Sequence, residues 1–286
     1  MKFGAFLWQR RCEDLAANAR LAEDLGFDSL WMGEHLGFPT EFKSTYPYDK
    51  SGRPPVRNDA MIHDPLIVFA YLAAVTSRIK FATGVYILPL RNPIAVAKAV
   101  ASLDQLSNGR FMFGVGIGWL KEEFEWVGMG WENRARRNNE TLKLLEALFT
   151  QRVPAFQGET VATADFYFEP KPVQQPHPPY IIGGNTEPAM KRACRLGDGW
   201  YGIAKELSGA LDLVRRLREL EKNYQRPKQL ELTLGLQWRG VTRDDVQHLA
   251  AAGVERILPS ADLVARDSIG ALRAMHERLV SRFSGD

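Results

Sequence analysis

Along the chain, short runs of consecutive apolar residues alternate with longer stretches whose apolar positions recur every three to four residues. The runs at 3–7, 29–33, 79–88, 110–118, 180–184, 199–203, 231–238 and 256–261 are apolar on both faces of an extended chain. They predict strands buried on both sides. The longer stretches predict helices. Leu15, Ala19, Ala22 and Leu25 share one helical face, which Gly26 ends. Asp64-Pro65 and Asn92-Pro93 each place a capping side chain before a first-turn proline, so a helix is expected to open at both. Further helical periods are carried by Leu142/Leu145/Leu148, Leu213/Leu217/Leu220, Val246/Leu249/Ala250 and Ile269/Leu272/Met275/Leu279.

Doubly buried strands joined by helices imply a parallel sheet with helices outside it. Eight such units in about 250 core residues suit closure into a barrel. The expected architecture is α/β, a single (β/α)8 TIM barrel forming one domain over residues 1–286, with an open doubly wound sheet as the alternative. Three segments exceed ordinary connections: 36–63 after strand two, 119–133 after strand four, and 151–178 before strand five. The first two follow strands, so they are expected over the C-terminal face, where barrel active sites sit.

A formal net charge of +3 and the absence of any basic block argue against a nucleic-acid partner. Arg134, Arg136 and Arg137 read as a solvated helix face. No stretch of 18 apolar residues predicts a membrane span, and the start "MKFGAFLWQRRCEDL" lacks a signal-peptide pattern. Cys12 and Cys194 both fall in helical patterns, reading as packed thiols of a reduced, cytoplasmic protein.

The run "GVGIGW" lacks the third glycine of a dinucleotide loop, and neither a Walker loop nor a G-x-S-x-G elbow occurs. His35, His63, His177, His248 and His276 have no metal-ligand spacing, so no metal is expected. Trp8, Trp31, Tyr86, Trp119, Trp131, Trp200 and Trp238 fall within or just beyond strand ends. Each alone reads as core, and together they suit a pocket for a flat, apolar ring system. The paired glycines of "YIIGGNTEP" raise their own question, since they pack no side chain and cost backbone entropy.

The run 64–128, the preceding "LAEDLGFDSLWMGEHL" and the later "IIGGNTEPAMKRACRLGDGW" resemble the bacterial-luciferase-like superfamily. Within it, "PTEFKSTYPYDKSGRPP" and "PKPVQQPHPP" resemble a branch of coenzyme-F420-dependent oxidoreductases. The likeness covers roughly residues 1–202, the remainder matching only in general plan. Members use either FMN or the deazaflavin coenzyme F420, and these motifs do not separate the two. The resemblance implies a barrel whose cofactor phosphate lies near the end of strand five. There Gly183 and Gly184 would let backbone N–H groups approach it, and Asn185 and Thr186 would begin a helix with its positive end toward it. A tight strand-to-helix turn is the alternative reading of the two glycines.

The resemblance also implies a non-prolyl cis bond at Gly84–Val85, in a bulge of strand three under the cofactor ring. Thr83 and Gly116 join Gly84 and Val85 as cofactor-binding positions. His35 matches the histidine beside the reacting ring and is the catalytic candidate, with Glu34 next to it as a cofactor-binding residue. An ordinary glycine bulge and a structural histidine are the corresponding alternatives. One departure is clear: family sugar-phosphate dehydrogenases carry a glutamate directly after the glycines of strand four, where this chain reads Gly116-Ile117-Gly118-Trp119. Glu122 and Glu123, a turn further on, read as an exposed helix start. A bulkier, apolar substrate is therefore expected. The leading expectation is hydride transfer between reduced F420 and a small organic substrate. The alternatives are an FMN-dependent monooxygenase served by a partner flavin reductase, and a non-catalytic flavin-binding protein. A homodimer is expected by the same analogy.

Overall fold

The computed structural model describes residues 1–7, 12–54, 56–260 and 268–283; Trp8 and Ala261 lie outside them. Strand β1 (Lys2–Phe6) pairs with β2 (Ser29–Met32), and β2 with β3 (Lys80–Thr83). A short strand, β4 (Tyr86–Ile87), carries on from β3, and both pair with β5 (Phe111–Gly116). A detached antiparallel hairpin, β6 (Phe156–Gln157) and β7 (Ala162–Thr163), interrupts the series. The ring resumes with β8 (Tyr180–Gly183), β9 (Gly199–Ala204), β10 (Glu231–Leu236) and β11 (Arg256–Leu258), and β11 pairs back onto β1. With β3 and β4 counted as one interrupted strand, the described residues form a closed, all-parallel ring of eight, the expected (β/α)8 barrel.

The interruption is a bulge. From Ala82 to Tyr86 the chain takes four steps while its partner takes three, from Met112 to Val115. The extra residue falls at Gly84–Val85, and that peptide bond is cis, as the family likeness implied.

Helices α1 (Cys12–Asp24), α2 (Pro65–Ala73), α3 (Pro93–Leu106), α4 (Lys121–Trp126) and α5 (Arg134–Thr150) accompany the first half of the barrel. Helices α6 (Glu187–Leu196), α7 (Leu207–Glu221), α8 (Arg243–Ala251) and α9 (Ser268–Arg278) accompany the second. Both sequence-read caps are present: Asp64 accepts from Leu66 and Ile67 N–H, and Asn92 from Ile94 and Ala95 N–H. Among the described residues no helix is long and apolar enough to cross a membrane.

The main core lies between barrel and helices, where Phe69, Phe81, Phe111 and Phe113 pack ring against ring. Burying each such ring contributes roughly 1.5–3 kcal/mol. A smaller core fills the barrel itself, around Trp31, Met112, Ile181, Tyr201 and Leu258. Below it Arg256, fully buried, donates through Nε to Asp28 at 2.8 Å and pairs with Glu231 through Nη1. The 151–178 insertion packs away from the C-terminal ends of the strands. Its Lys171 donates to the last carbonyls of α5, and its Gln174 binds Asp104 and the Phe111 carbonyl.

Candidate active site

A cavity of roughly 580 Å³ opens at the C-terminal ends of the strands, roofed by the 36–63 insertion. Its floor includes Val85, Gly116, Gly183 and Gly184, all expected cofactor-binding positions. Val85, pushed out by the bulge, occupies space that Gly116 and Gly183 leave free. A Cβ on Gly116 would lie 2.5 Å from Val85 Cγ2, and one on Gly183 would lie 2.4 Å from Cγ1. Gly183 is thus required by packing against Val85. Its neighbour Gly184 has φ +126°, and a Cβ there would meet Ala189 at 2.9 Å. Gly184 is the one whose backbone needs to be glycine. The paired glycines serve two different purposes.

Beyond Gly184, helix α6 opens at Thr186, whose side chain makes no capping bond. Two guanidinium side chains line the cavity beside this helix start, Arg192 and Arg134. Arg192 donates through Nε to Asn139 at 2.7 Å. Arg134 lies over the indole of Trp131, 3.5 Å from its centroid, and donates to the Trp131 carbonyl; its buried Nε has no partner among the described residues. Burial pushes both arginines below their ordinary value, and for Arg192 the charges of Arg195 and Arg134 push the same way. Glu132 offsets this only in part at Arg134, and like charges beside a helix N-terminus with no carboxylate ion pair among the described residues are the chemistry of an anion site. This corrects the reading of Arg134 as solvated surface; Arg136 alone of the three is exposed, paired with Glu159.

Asn185 and Thr83 take other parts. The Asn185 amide donates to the Ile203 carbonyl at 2.6 Å and accepts the Ile203 N–H at 3.0 Å, tying the ends of β8 and β9 together. Thr83, fully buried, donates its hydroxyl to the Gly114 carbonyl at 2.6 Å. Neither side chain lines the cavity, whereas Glu34, His35, Gly84, Val85, Gly116, Gly183, Gly184 and Thr186 all do.

At the opposite end, β2 runs out into Glu34 and His35. Glu34 is buried, accepts from the Ile87 N–H at 2.6 Å and pairs with Arg91. Burial outweighs these partners and pushes its carboxyl up to about 7. His35 Nδ1 lies 3.0 Å from Glu123 Oε2, while Glu123 Oε1 accepts the Leu36 N–H at 2.6 Å. Glu122 accepts from the backbone N–H groups of Lys43 and Ser44 and from the Ser44 hydroxyl. The expected exposed helix start is therefore wrong for both residues. Glu123 is fully buried and Glu122 is 8% exposed, because the 36–63 insertion folds down onto them and supplies their hydrogen bonds.

The insertion, together with Trp119 of the 119–133 segment, also makes a roof of aromatic rings. Phe38 sits 4.7 Å and Trp119 5.7 Å from the His35 ring centroid, and Tyr46 packs on Trp119 at 5.1 Å. The tip of the insertion is tied to the end of β9 by the Lys205–Asp49 ion pair. Of the aromatic residues expected to make a ring pocket, Trp119 and Trp131 line the cavity. Trp31, Trp200 and Tyr86 are core, and Trp238 packs against the core. Strand-end position was thus a weaker guide than the insertion, whose "FPTEFKSTYPY" carries the lining Phe38, Tyr46 and Tyr48. Nothing in local sequence distinguishes Glu123, Arg134 and Arg192 from ordinary helix-surface charges.

A model of the luciferase-like monooxygenase family matches residues 1–277. The chain is 37% identical over 193 residues to an uncharacterized protein of Mycobacterium tuberculosis, covering 67% of this chain and 68% of that one. It is 33% identical over 159 residues to the FMNH(2)-dependent dimethylsulfone monooxygenase of Pseudomonas putida, covering 54% of this chain and 44% of that one. In fold it is similar to the coenzyme F420 dependent tetrahydromethanopterin reductase of Methanopyrus kandleri, with a TM-score of 0.77, 16% identity and 99% of each chain covered. It is likewise similar to the monooxygenase RslO1 of Streptomyces bottropensis, with a TM-score of 0.76 and 17% identity, covering 99% of this chain and 100% of that one.

Proposed function

The chain belongs to the luciferase-like monooxygenase family, and from that premise we propose that it is an oxidoreductase passing a hydride between reduced coenzyme F420 and a small, apolar or aromatic organic substrate. The observation that carries this reading is the His35 ring on the cavity wall, braced through Nδ1 by buried Glu123. The Arg134 Nε, unpartnered among the described residues, and the Arg192 guanidinium on the same cavity wall fit the phosphate of such a cofactor. Arg134, Arg192 and Thr186 would hold that phosphate beside Gly184, whose own N–H is not free for it, contrary to expectation, because it donates to the Tyr201 carbonyl at 3.0 Å. The Gly84–Val85 backbone would support the ring. When bound, F420 supplies a two-electron hydride donor that oxygen does not readily divert. His35 would hold or release the accompanying proton at Nε2. The roof of Phe38, Tyr46 and Trp119 offers no charge, which suits a neutral substrate. Absorbance titration of the purified protein with F420 and with FMN tests the reading: saturable binding of F420 supports it, and binding of FMN alone overturns it.

A second reading is an FMN-dependent monooxygenase served by a partner reductase. Two guanidiniums that make no carboxylate ion pair among the described residues suit the dianion of a terminal phosphate monoester such as that of FMN. The Pseudomonas putida relative points the same way. Either reading is compatible with a homodimer, which we propose forms through α2. That helix carries no charged residue and exposes Ile67 and Tyr71. Charge substitutions at those two positions should leave a monomer in sedimentation.

A further inference from the structure

Glu123 lies in a helix start and His35 at a strand end, yet the two side chains meet inside the protein. The Glu123 carboxylate is fully buried, and each of its oxygens has one partner: Oε1 takes the Leu36 N–H and Oε2 faces His35 Nδ1. A backbone amide can only donate, so Oε1 must accept. A carboxylate oxygen can only accept, so Oε2 asks His35 for a proton on Nδ1. The imidazole's second nitrogen, Nε2, has no protein partner among the described residues, and its ring lines the cavity between Phe38 and Trp119.

From this geometry we propose that Glu123 is a positioning residue that fixes His35 as the Nδ1–H tautomer and thereby presents Nε2 to the substrate. The proposal takes His35 as the proton-handling group of the reading above. In the neutral ring Nε2 then bears a lone pair and can accept a proton from a substrate hydroxyl. In the protonated ring it carries the proton and can return it to a substrate oxygen. Glu123 acts only as the hydrogen-bond acceptor for Nδ1 and exchanges no proton with the ring. The other carboxylate in reach, Glu34, is held by Arg91 and the Ile87 N–H and lies outside this hydrogen bond. Without Glu123 the neutral ring could carry its proton on Nε2, which would then donate but no longer accept.

The competing account is that Glu123 merely pins the insertion, as Glu122 does through Ser44 and Lys43. Glu123→Gln separates the two. The Leu36 N–H requires an acceptor, so the glutamine oxygen must stay on that side, and its NH2 turns toward His35. An NH2 facing Nδ1 is a donor, so the neutral ring should move its proton to Nε2. Long-range 15N–1H spectra of histidine-labelled protein without cofactor read this directly, with His35→Asn assigning the signals. The measurement uses a pH at which the ring is neutral. In the parent protein His35 should give a protonated-type Nδ1 and an unprotonated-type Nε2. In Glu123→Gln the two types should exchange, and in Glu122→Gln they should stay as in the parent, even if both variants lose thermal stability alike. A parent ring protonated on Nε2, or an unchanged pattern in Glu123→Gln, overturns the proposal. Because no cofactor is present, this outcome is independent of whether F420 or FMN binds.

Discussion

Arg134 and Arg192 line the same cavity wall as two guanidinium side chains, and neither makes an ion pair with a carboxylate among the described residues. Two such groups repel each other unless an anion arrives between them, so a phosphate-bearing ligand gains from both. Replacing Arg192 with Met should weaken FMN or F420 binding by roughly 10- to 100-fold, since a charge-assisted hydrogen bond contributes about 1.5–3 kcal/mol. Riboflavin, which lacks the phosphate, should bind parent and variant alike. Fluorescence titration with each ligand checks the difference, and equal losses for both ligands would place the phosphate elsewhere.

Gly184→Val should also impair the cradle. The valine would have to adopt φ near +126° and would press its Cβ on Ala189. Cofactor affinity is expected to fall at least tenfold, while the far-UV dichroism of the barrel stays that of the parent. Gly183→Ala should instead disturb Val85 and the floor. Comparing the two variants by ligand titration and thermal melting distinguishes a backbone requirement from a packing one.

Glu34 makes a pH-dependent contribution whose sign is set by burial. Its folded carboxyl is pushed up to about 7 from an ordinary 4.5. The unfolded chain therefore releases this proton at lower pH than the folded one does. The stabilising contribution is complete below about 4.5 and is lost as pH rises toward 7. Glu34→Gln should remove this slope from a plot of unfolding free energy against pH. A slope between pH 5 and 7 that is identical in parent and variant would assign it to other groups.

At the barrel floor Arg256→Met should destabilise by about 3–5 kcal/mol, the usual cost of breaking a buried ion pair from one side. Burial alone would push Asp28 and Glu231 up, but Arg256, with Lys80 at Asp28 and Lys2 at Glu231, holds both below the ordinary carboxylate range. Their contribution is present at neutral pH and lost as pH falls through their lowered values. The variant's deficit, measured by urea unfolding, should accordingly shrink in acid.

The sequence by itself determined the frame. Doubly apolar runs and helix-period segments dictated a parallel sheet covered by helices on both faces, and the count of eight units favoured a closed barrel over the open doubly wound alternative. Asp64-Pro65 and Asn92-Pro93 marked helix starts through bonds made within three residues, which local sequence carries in full. The paired Gly183 and Gly184 stood out locally as well, whereas His35 and Gly84 were marked by the family resemblance. The tertiary structure decided what the charges do. Glu123 lies 87 residues from Leu36, and its carboxylate is buried only because the 36–63 insertion folds over it. Arg134 and Arg192 stand on different helices that meet only through α5 packing against α6. A charge at a helix surface reads as solvated in any local window. Whether water or another segment covers it depends on contacts that exist only once the chain has closed.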